Sequence, residues 1–515
     1  MSDWSSGYVS ELGYTYGYYR ELNPSLLSLV CLSKGIRFDA NRPLRYLELG
    51  FGQGLSLNIH AAAGQGEFWG TDFNPAQAQM AKHLASAAGS QALIHDQSFA
   101  EFAARDDLPE FDVIGLHGIW SWISDENRRI IVDIARRKLA TGGLLYISYN
   151  CMPGWSASLP LRHLMTLHAE RSIALDQTLP IRIDSAIDFA QSVVDAGALY
   201  FQANPSVAGR LAQLRQQNRN YLAHEYFNRD WLPMPFSDVA DLMTTAKLEF
   251  AASANLLDHI DQISLTDAGQ KLLSTVANPV LKESVRDYLQ NTQFRKDLFI
   301  KGALHMRPLE QQDRFRAQGF VLTVPPAEVP MKIVGPQGEI ALKQEIYQPI
   351  IAALAADGHA PKTVAELEAR LPGEDLTLAL IAQALLILTG AGLVHPVQAD
   401  AAVKSASQAC KALNADLCRR ARYSGDITWL ASPVTGGGLE VGQVQQLFLL
   451  ARAQGRATPK MWAEFAWAAL AASGERLIKQ GKVLDNAEEN EAELFAQAKL
   501  FESNGLPILT AVGIA

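Results

Sequence analysis

Cysteine is scarce and scattered in this chain. Four among 515 residues (Cys31, Cys151, Cys410 and Cys418) are too few for a disulfide scaffold, and no C-x-x-C pair or nearby histidine gives zinc-ligand spacing. No metal site is therefore expected. A chain of this length buries enough apolar surface to fold without such staples. Basic charge is short as well: 45 Lys and Arg face 54 Asp and Glu, a net charge of -9. That balance argues against a general nucleic-acid or anionic-membrane surface. The most apolar run, residues 378–394, is broken by Gln383, Thr389 and Gly390, whereas a membrane span needs about 20 apolar residues. The opening MSDWSSGYVSELG carries acid and serine where a secretory leader has a basic cluster and an apolar core. Low-complexity tracts and internal repeats are missing too. These absences predict a cytoplasmic globular protein of about three domains.

What is present begins with alternation. LRYLELG (44–50) reads as a buried parallel strand and LSLNIHAAAG as the helix after it, stopped by Gly64. EFWGTD is a second strand, followed by a helix opening at Asn74-Pro75. QALIHD and FDVIGLHG (111–118) are a third and a fourth. Ser124-Asp125-Glu126 opens a helix running to Leu139 and stopping at Gly142-Gly143, and LLYISYN is a fifth strand. Such strand–helix units predict a doubly wound α/β sheet with its ligand at the carboxyl ends of the strands. Beyond Pro153-Gly154, residues 160–225 read mostly helical and a mixed segment follows from Trp231 to about Gly302. The Pro-rich VPPAEVPMKIVGPQGEI marks the next boundary. Residues 345–398 pattern as three helices and a short strand, and the remainder is Ala-rich and helical.

The informative run is Glu48-Leu49-Gly50-Phe51-Gly52-Gln53-Gly54. Alternate glycines let the backbone turn sharply against a ligand, and the next helix offers its N-terminal amides to an anion. A dinucleotide fingerprint is G-x-G-x-x-G; here the spacing is G-x-G-x-G behind an acid, the pattern of S-adenosylmethionine (SAM) sites. Glu48 can take up the ligand's ammonium through water or backbone. Asp72 ends the second strand, where an acid accepts both ribose hydroxyls; the alternative is that it helps cap the helix at Asn74. Phe73 follows it. Asp96 ends the third strand, placed to accept from an adenine amino group, with Ser98 and Phe99 flanking the ring; the alternative is a solvated loop acid.

Four longer segments carry a resemblance. HGIWSWIS (117–124), SYNCMPGW (148–155), YLAHEYFNRDWLPMPFSDV (221–239) and FRKDLFIKG (294–302) resemble the signature segments of bacterial class I methyltransferases with a methyltransferase regulatory domain. That family includes the rickettsial-type protein-lysine methyltransferases that modify outer-membrane proteins. The resemblance spans roughly residues 10–310 and is looser beyond; Phe51 stands where a cysteine is more usual. It implies a Rossmann-like SAM-binding domain over residues 1–158, a helical connection over 159–230 and a regulatory domain over 231–320. A winged-helix-like domain over 340–400 and a helical region over 401–515 follow. The implied activity is N-methylation of protein lysines by in-line transfer, whose gain comes from holding nucleophile and methyl collinear. The acceptor's ammonium, with an ordinary pKa of about 10.4, must first lose a proton. The implied partner is a protein, an outer-membrane or surface protein among the candidates, with no nucleic acid, no membrane insertion and a homodimer left open.

Candidate lining groups at the fourth and fifth strand ends are His117, Trp120, Trp122, Tyr149 and Asn150, with His117 also beside the cofactor. Aromatic faces hold an ammonium or sulfonium by contacts worth about 0.5–2 kcal/mol. The plainer alternatives are that Trp122 is core and that His117 bonds a neighbouring backbone. Tyr221 and Glu225 share a helix face, closing the acceptor pocket or clamping the helical region to the first domain. GYTYGYY (13–19) is an aromatic lid over the cofactor or an anchor for the N-terminal helix. The part beyond about residue 340 is expected to select the acceptor without building the cofactor pocket, across a hinge at residues 324–336. Three other functions compete. An NAD-dependent oxidoreductase is disfavoured by the glycine spacing and by Glu48. A DNA-binding regulator is disfavoured by the acidic charge and by the absence of a Lys/Arg-rich helix near residues 378–388. A methyltransferase acting on a small molecule or glycan stays open.

Overall fold

A computed structural model describes residues 15–172, 177–371 and 376–515; the reading of residues 1–14 lies outside these. The core is a seven-stranded sheet. Its strands are β1 (Leu44–Leu49), β2 (Gly66–Thr71), β3 (Leu93–His95), β4 (Phe111–Leu116), β5 (Leu139–Asn150), β6 (Glu249–Ser253) and β7 (Phe294–Ile300), in the order β3-β2-β1-β4-β5-β7-β6. β1 to β5 pair in parallel, and β7 runs antiparallel to both β5 and β6. The first helices are α1 (Pro24–Ser33), α2 (Leu55–Ala63), α3 (Pro75–Ala88), α4 (Phe99–Ala103) and α5 (Asp125–Lys138).

Period-two alternation assigns each strand residue to a layer. Tyr46, Val113, Leu144, Tyr146 and Leu298 pack beneath α1. Leu47, Ile114, Leu145, Tyr149 and Phe299 face α5 and the helix Phe236–Thr245. The chain order reverses beside β1, which has β2 on one side and β4 on the other, so a crevice opens at the carboxyl ends of these three strands.

Local chemistry explains most helix starts. The side chain of Asn74 accepts from Ala76 N and that of Ser124 from Asn127 N, as the capping residues predict. α4 had no sequence expectation; its capping box, Ser98 with Glu101, starts it. The doublet Gly142-Gly143 does not stop α5. That helix ends at Lys138, where the Lys301 ammonium binds the carbonyls of Arg136 and Leu139, and the glycines lie within β5 where its pairing with β4 shifts register.

The segment read as a separate regulatory domain thus supplies two strands of the central sheet. Helices Leu159–Arg171, Leu179–Asp195, Leu199–Ala203, Pro205–Leu214 and Arg219–Tyr226 form a layer with its own core around Trp155, Ile183 and Leu211. Further on, Gln344–His359, Val364–Arg370 and Leu378–Gly390 pack with a three-stranded antiparallel sheet whose middle strand, Gly319–Leu322, precedes those helices in the chain. The Pro-rich stretch expected to be a hinge is packed instead. Val329 and Ile333 are buried, Lys332–Gly335 pairs with Gly338–Ala341, and Gly335 lies so close to Ile263 that a Cβ would meet its carbonyl. Finally Asp400–Arg420 lies across α2 and α3, followed by the hairpin Trp429–Ser432/Gly437–Glu440 and a helical terminus.

A buried ionic cluster locks β7 into place. The Arg295 guanidinium donates to Asp297 Oδ2 at 2.8 Å, Asp287 Oδ1 at 2.7 Å and Glu283 Oε2 at 3.0 Å, while the Tyr149 hydroxyl donates to Asp297 Oδ2 at 2.7 Å. Removing one member leaves buried charge without a partner. Arg295→Leu should therefore destabilise the chain by about 3–5 kcal/mol, read by chemical denaturation. An unchanged unfolding midpoint would show that the cluster is dispensable.

Candidate functional site

A cavity of about 420 Å³ lies in the crevice at the ends of β1, β2 and β4. Its floor is the glycine turn. Gly50, Gly52 and Gly54 all have left-handed backbone angles, with φ of 71°, 59° and 73°, a region costly for any residue bearing a Cβ. A Cβ on Gly50 would meet the Ile119 side chain at 2.5 Å. Gly54 is not on the wall; it lets α2 pack against Ala81 of α3.

Two dehydrated carboxylates face this space. Glu48 is 4% exposed, and its Oε2 accepts from the Tyr46 hydroxyl at 3.1 Å. Burial pushes its carboxyl up to about 8, with the charge of Asp72 adding to the rise and the Tyr46 bond opposing it. Asp72 accepts from Gly52 N at 2.9 Å and Asn74 N at 3.0 Å. The Gln77 amide, turned nitrogen inward, adds a third donor. Burial still raises Asp72 to about 6.

Aromatic and amide groups complete the wall: Phe73 after β2, Gln97, Ser98 and Phe99 after β3, and His117, Gly118, Ile119 and Trp122 after β4. The Tyr19 ring stacks on His117 with centroids 3.7 Å apart, and the Tyr146 hydroxyl lies 2.7 Å from His117 Nδ1. Burial drives the His117 imidazole down to about 3, so it is neutral. The Trp122 indole N–H is buried with no partner among the described residues.

Comparison with known proteins decides the family. A methyltransferase domain family matches residues 47–143, and a predicted methyltransferase regulatory domain family matches residues 218–301. An uncharacterized protein of Synechocystis sp. is 39% identical over 515 residues, covering 99% of this chain and 100% of its own. The chain belongs to the class I SAM-dependent methyltransferases with a methyltransferase regulatory domain. An uncharacterized Rickettsia prowazekii protein is 27% identical over 323 residues, covering 61% of this chain and 56% of its own. PKMT2 from Rickettsia typhi, solved in complex with AdoHcy, shares the fold with a TM-score of 0.71 at 16% identity, covering 97% of this chain and 99% of that one.

The cofactor of this methyltransferase is SAM, and the cavity fits it. When bound, SAM supplies a methyl group on a sulfonium and presents an ammonium, a carboxylate, a ribose diol and an adenine. Glu48, a buried carboxylate with no cation beside it among the described residues, would receive the ammonium. Asp72, at the end of β2, would accept from the diol, and the Trp122 side chain lines the same space. Phe73 and Phe99 would give the adenine apolar walls. A neutral His117 adds no positive charge beside a sulfonium.

The methyltransferase cavity brings together Glu48, Gly50, Gly52, Asp72, Phe73, Ser98 and His117. Besides Gly54, four other site expectations fall elsewhere. Asp96 is half exposed and its nearest cation is Lys82 at 3.6 Å, because β3 stops at His95 and the next residue turns outward. Trp120 is fully buried in the core beneath α5. Tyr149 faces the same layer and is held by Asp297. Asn150 is a backbone junction, its amide donating to Ser121 Oγ and its carbonyl accepting from Met234. His117, on the wall, is held between the Tyr19 ring and the Tyr146 hydroxyl. His224 and Glu225 are not on the wall, although Arg229 and Asp230, just beyond their helix, are. Gln97 and Gln77 were missed; nothing in their local pattern distinguishes them from surface glutamines.

The ligand's ammonium requires ionised Glu48, so binding below pH 8 releases a proton. AdoHcy affinity should rise between pH 6.5 and 7.5 and lose that slope in Glu48→Gln, measured by calorimetry in buffers of different ionisation heat. Without ligand the sign reverses: the folded pKa lies above the unfolded one, so this group costs stability as pH climbs toward 8. Asp72→Ala should weaken AdoHcy binding by about 1–3 kcal/mol; unchanged binding would remove Asp72 from the site.

Proposed function

We propose that this methyltransferase N-methylates lysine side chains of a protein substrate. The carrying observation is that two signature segments distant in sequence, 117–124 and 221–239, meet on one cavity wall. The first gives Trp122 and Ile123; the second gives Arg229 and Asp230, paired at 3.5 Å. With Ile130 they line one side of the cavity, where apolar side chains meet a charged pair, and the exposed Glu126 stands beside them. An aliphatic chain ending in an amine suits such a wall: Trp122, Ile123 and Ile130 favour the neutral amine required for attack, and Glu126 and Asp230 attract the ammonium beforehand. The accessory regions offer surface for a macromolecule, and the shared fold with PKMT2 supports a protein acceptor.

The deciding experiment supplies methyl-labelled SAM with bacterial outer-membrane, cytosolic and small-molecule fractions, and locates the label by mass spectrometry. Label on lysine Nζ supports the reading; label confined to glycan or small molecules overturns it. Glu126→Gln should raise KM for the protein acceptor several-fold while leaving AdoHcy affinity unchanged.

A further inference from the structure

Three consecutive residues of the N-terminal strap point in alternating directions. The Tyr19 ring covers the cofactor cavity on His117, and its amide donates to Ser56 Oγ of α2 at 3.0 Å. The residues on either side reach instead into the C-terminal half. Arg20 donates from Nη1 to the Thr389 carbonyl at 3.0 Å and from Nη2 to the Gly390 carbonyl at 2.6 Å, capping the helix Leu378–Gly390. These carbonyls lie at the negative pole of the helix, that of Thr389 also accepting from Gly392 N at 3.0 Å. Tyr18 is buried with its ring centroid 5.0 Å from that of Trp429. Its hydroxyl lies 3.2 Å from His60 Nε2, and the hairpin residues Gly437 and Gly438 leave just the room its ring needs. Asn23 then donates from Nδ2 to the Thr435 carbonyl at 3.1 Å.

We propose that the C-terminal half holds this strap over the bound cofactor, which makes Arg20 and Tyr18 positioning residues acting through Tyr19. No described wall residue lies beyond Asp230, so the C-terminal half builds none of the pocket yet governs how firmly it closes. Two anchors in separate modules, the helix end at 389–390 and the hairpin at 429–440, fix the strap on both sides of Tyr19. With the anchors lost, Tyr19 must be ordered anew at each binding event, and affinity falls by the free energy of that ordering.

A double-mutant cycle on the full chain tests this, read by AdoHcy calorimetry. Arg20→Ala should weaken AdoHcy about tenfold, Arg20→Lys should retain most of the affinity, and Trp429→Leu should weaken it through Tyr18. In a Tyr19→Ala background, neither Arg20→Ala nor Trp429→Leu should weaken it further. Wild-type AdoHcy affinity in Arg20→Ala and Trp429→Leu would overturn the proposal. So would an Arg20→Ala or Trp429→Leu effect of equal size with and without the Tyr19 ring. If Arg20→Ala does not fold, Trp429→Leu carries the same cycle.

Discussion

Burial of the Glu48 carboxylate at the end of β1 is the constraint around which this molecule is arranged. Folding removes the group from water and gives it one hydroxyl, that of Tyr46, in exchange. Desolvation is unfavourable to the charged form and pushes the carboxyl up to about 8. The groups nearby shape that space. The glycines bend the backbone out of the way, Asp72 is braced by two backbone amides, and the Tyr19 ring closes over His117. A cationic ligand group bound here would stabilise the ionised carboxylate.

The same economy explains why the chain is long. The sheet requires β6 and β7 from beyond residue 248, held by Arg295 among three carboxylates. The strap at residues 15–23 finds its fixed points more than 360 residues away in sequence. Cofactor site and accessory regions are thus mechanically joined: Asp400–Arg420 lies directly on α2 and α3, the helices that follow the glycine turn and Asp72.

Much of the first sheet was legible because its signals are local. Glycine spacing, strand-end acids and the caps at Asn74 and Ser124 each depend on neighbours a few residues away. Which face a side chain takes is not local. Trp120 and Tyr149 lie near the right strand ends, yet their side chains belong to the core, since the layer beneath α5 claims one face of β4 and β5; Asn150 is buried on the opposite face of β5. β7 lay within a segment read as mixed: Arg295, Lys296 and Asp297 interrupt its apolar pattern, and their charges are satisfied by one another and by Glu21, Glu283 and Asp287, which are distant in sequence or on other elements. The capping box at Ser98 and Glu101 was readable and would have placed Phe99 on the first turn of a helix. The strap's anchors had no sequence signature, because they are contacts to carbonyls and glycines.

Amide hydrogen exchange on the full chain, with and without AdoHcy, tests the central claim that one ligand closes the carboxyl edge of the sheet and the strap together. The account predicts that AdoHcy slows exchange at residues 50–54, 72–74, 97–99 and 117–119, and in the same titration at residues 17–20. Protection of the strand-end loops with no change in the strap would contradict it, as would exchange that AdoHcy leaves unaltered throughout.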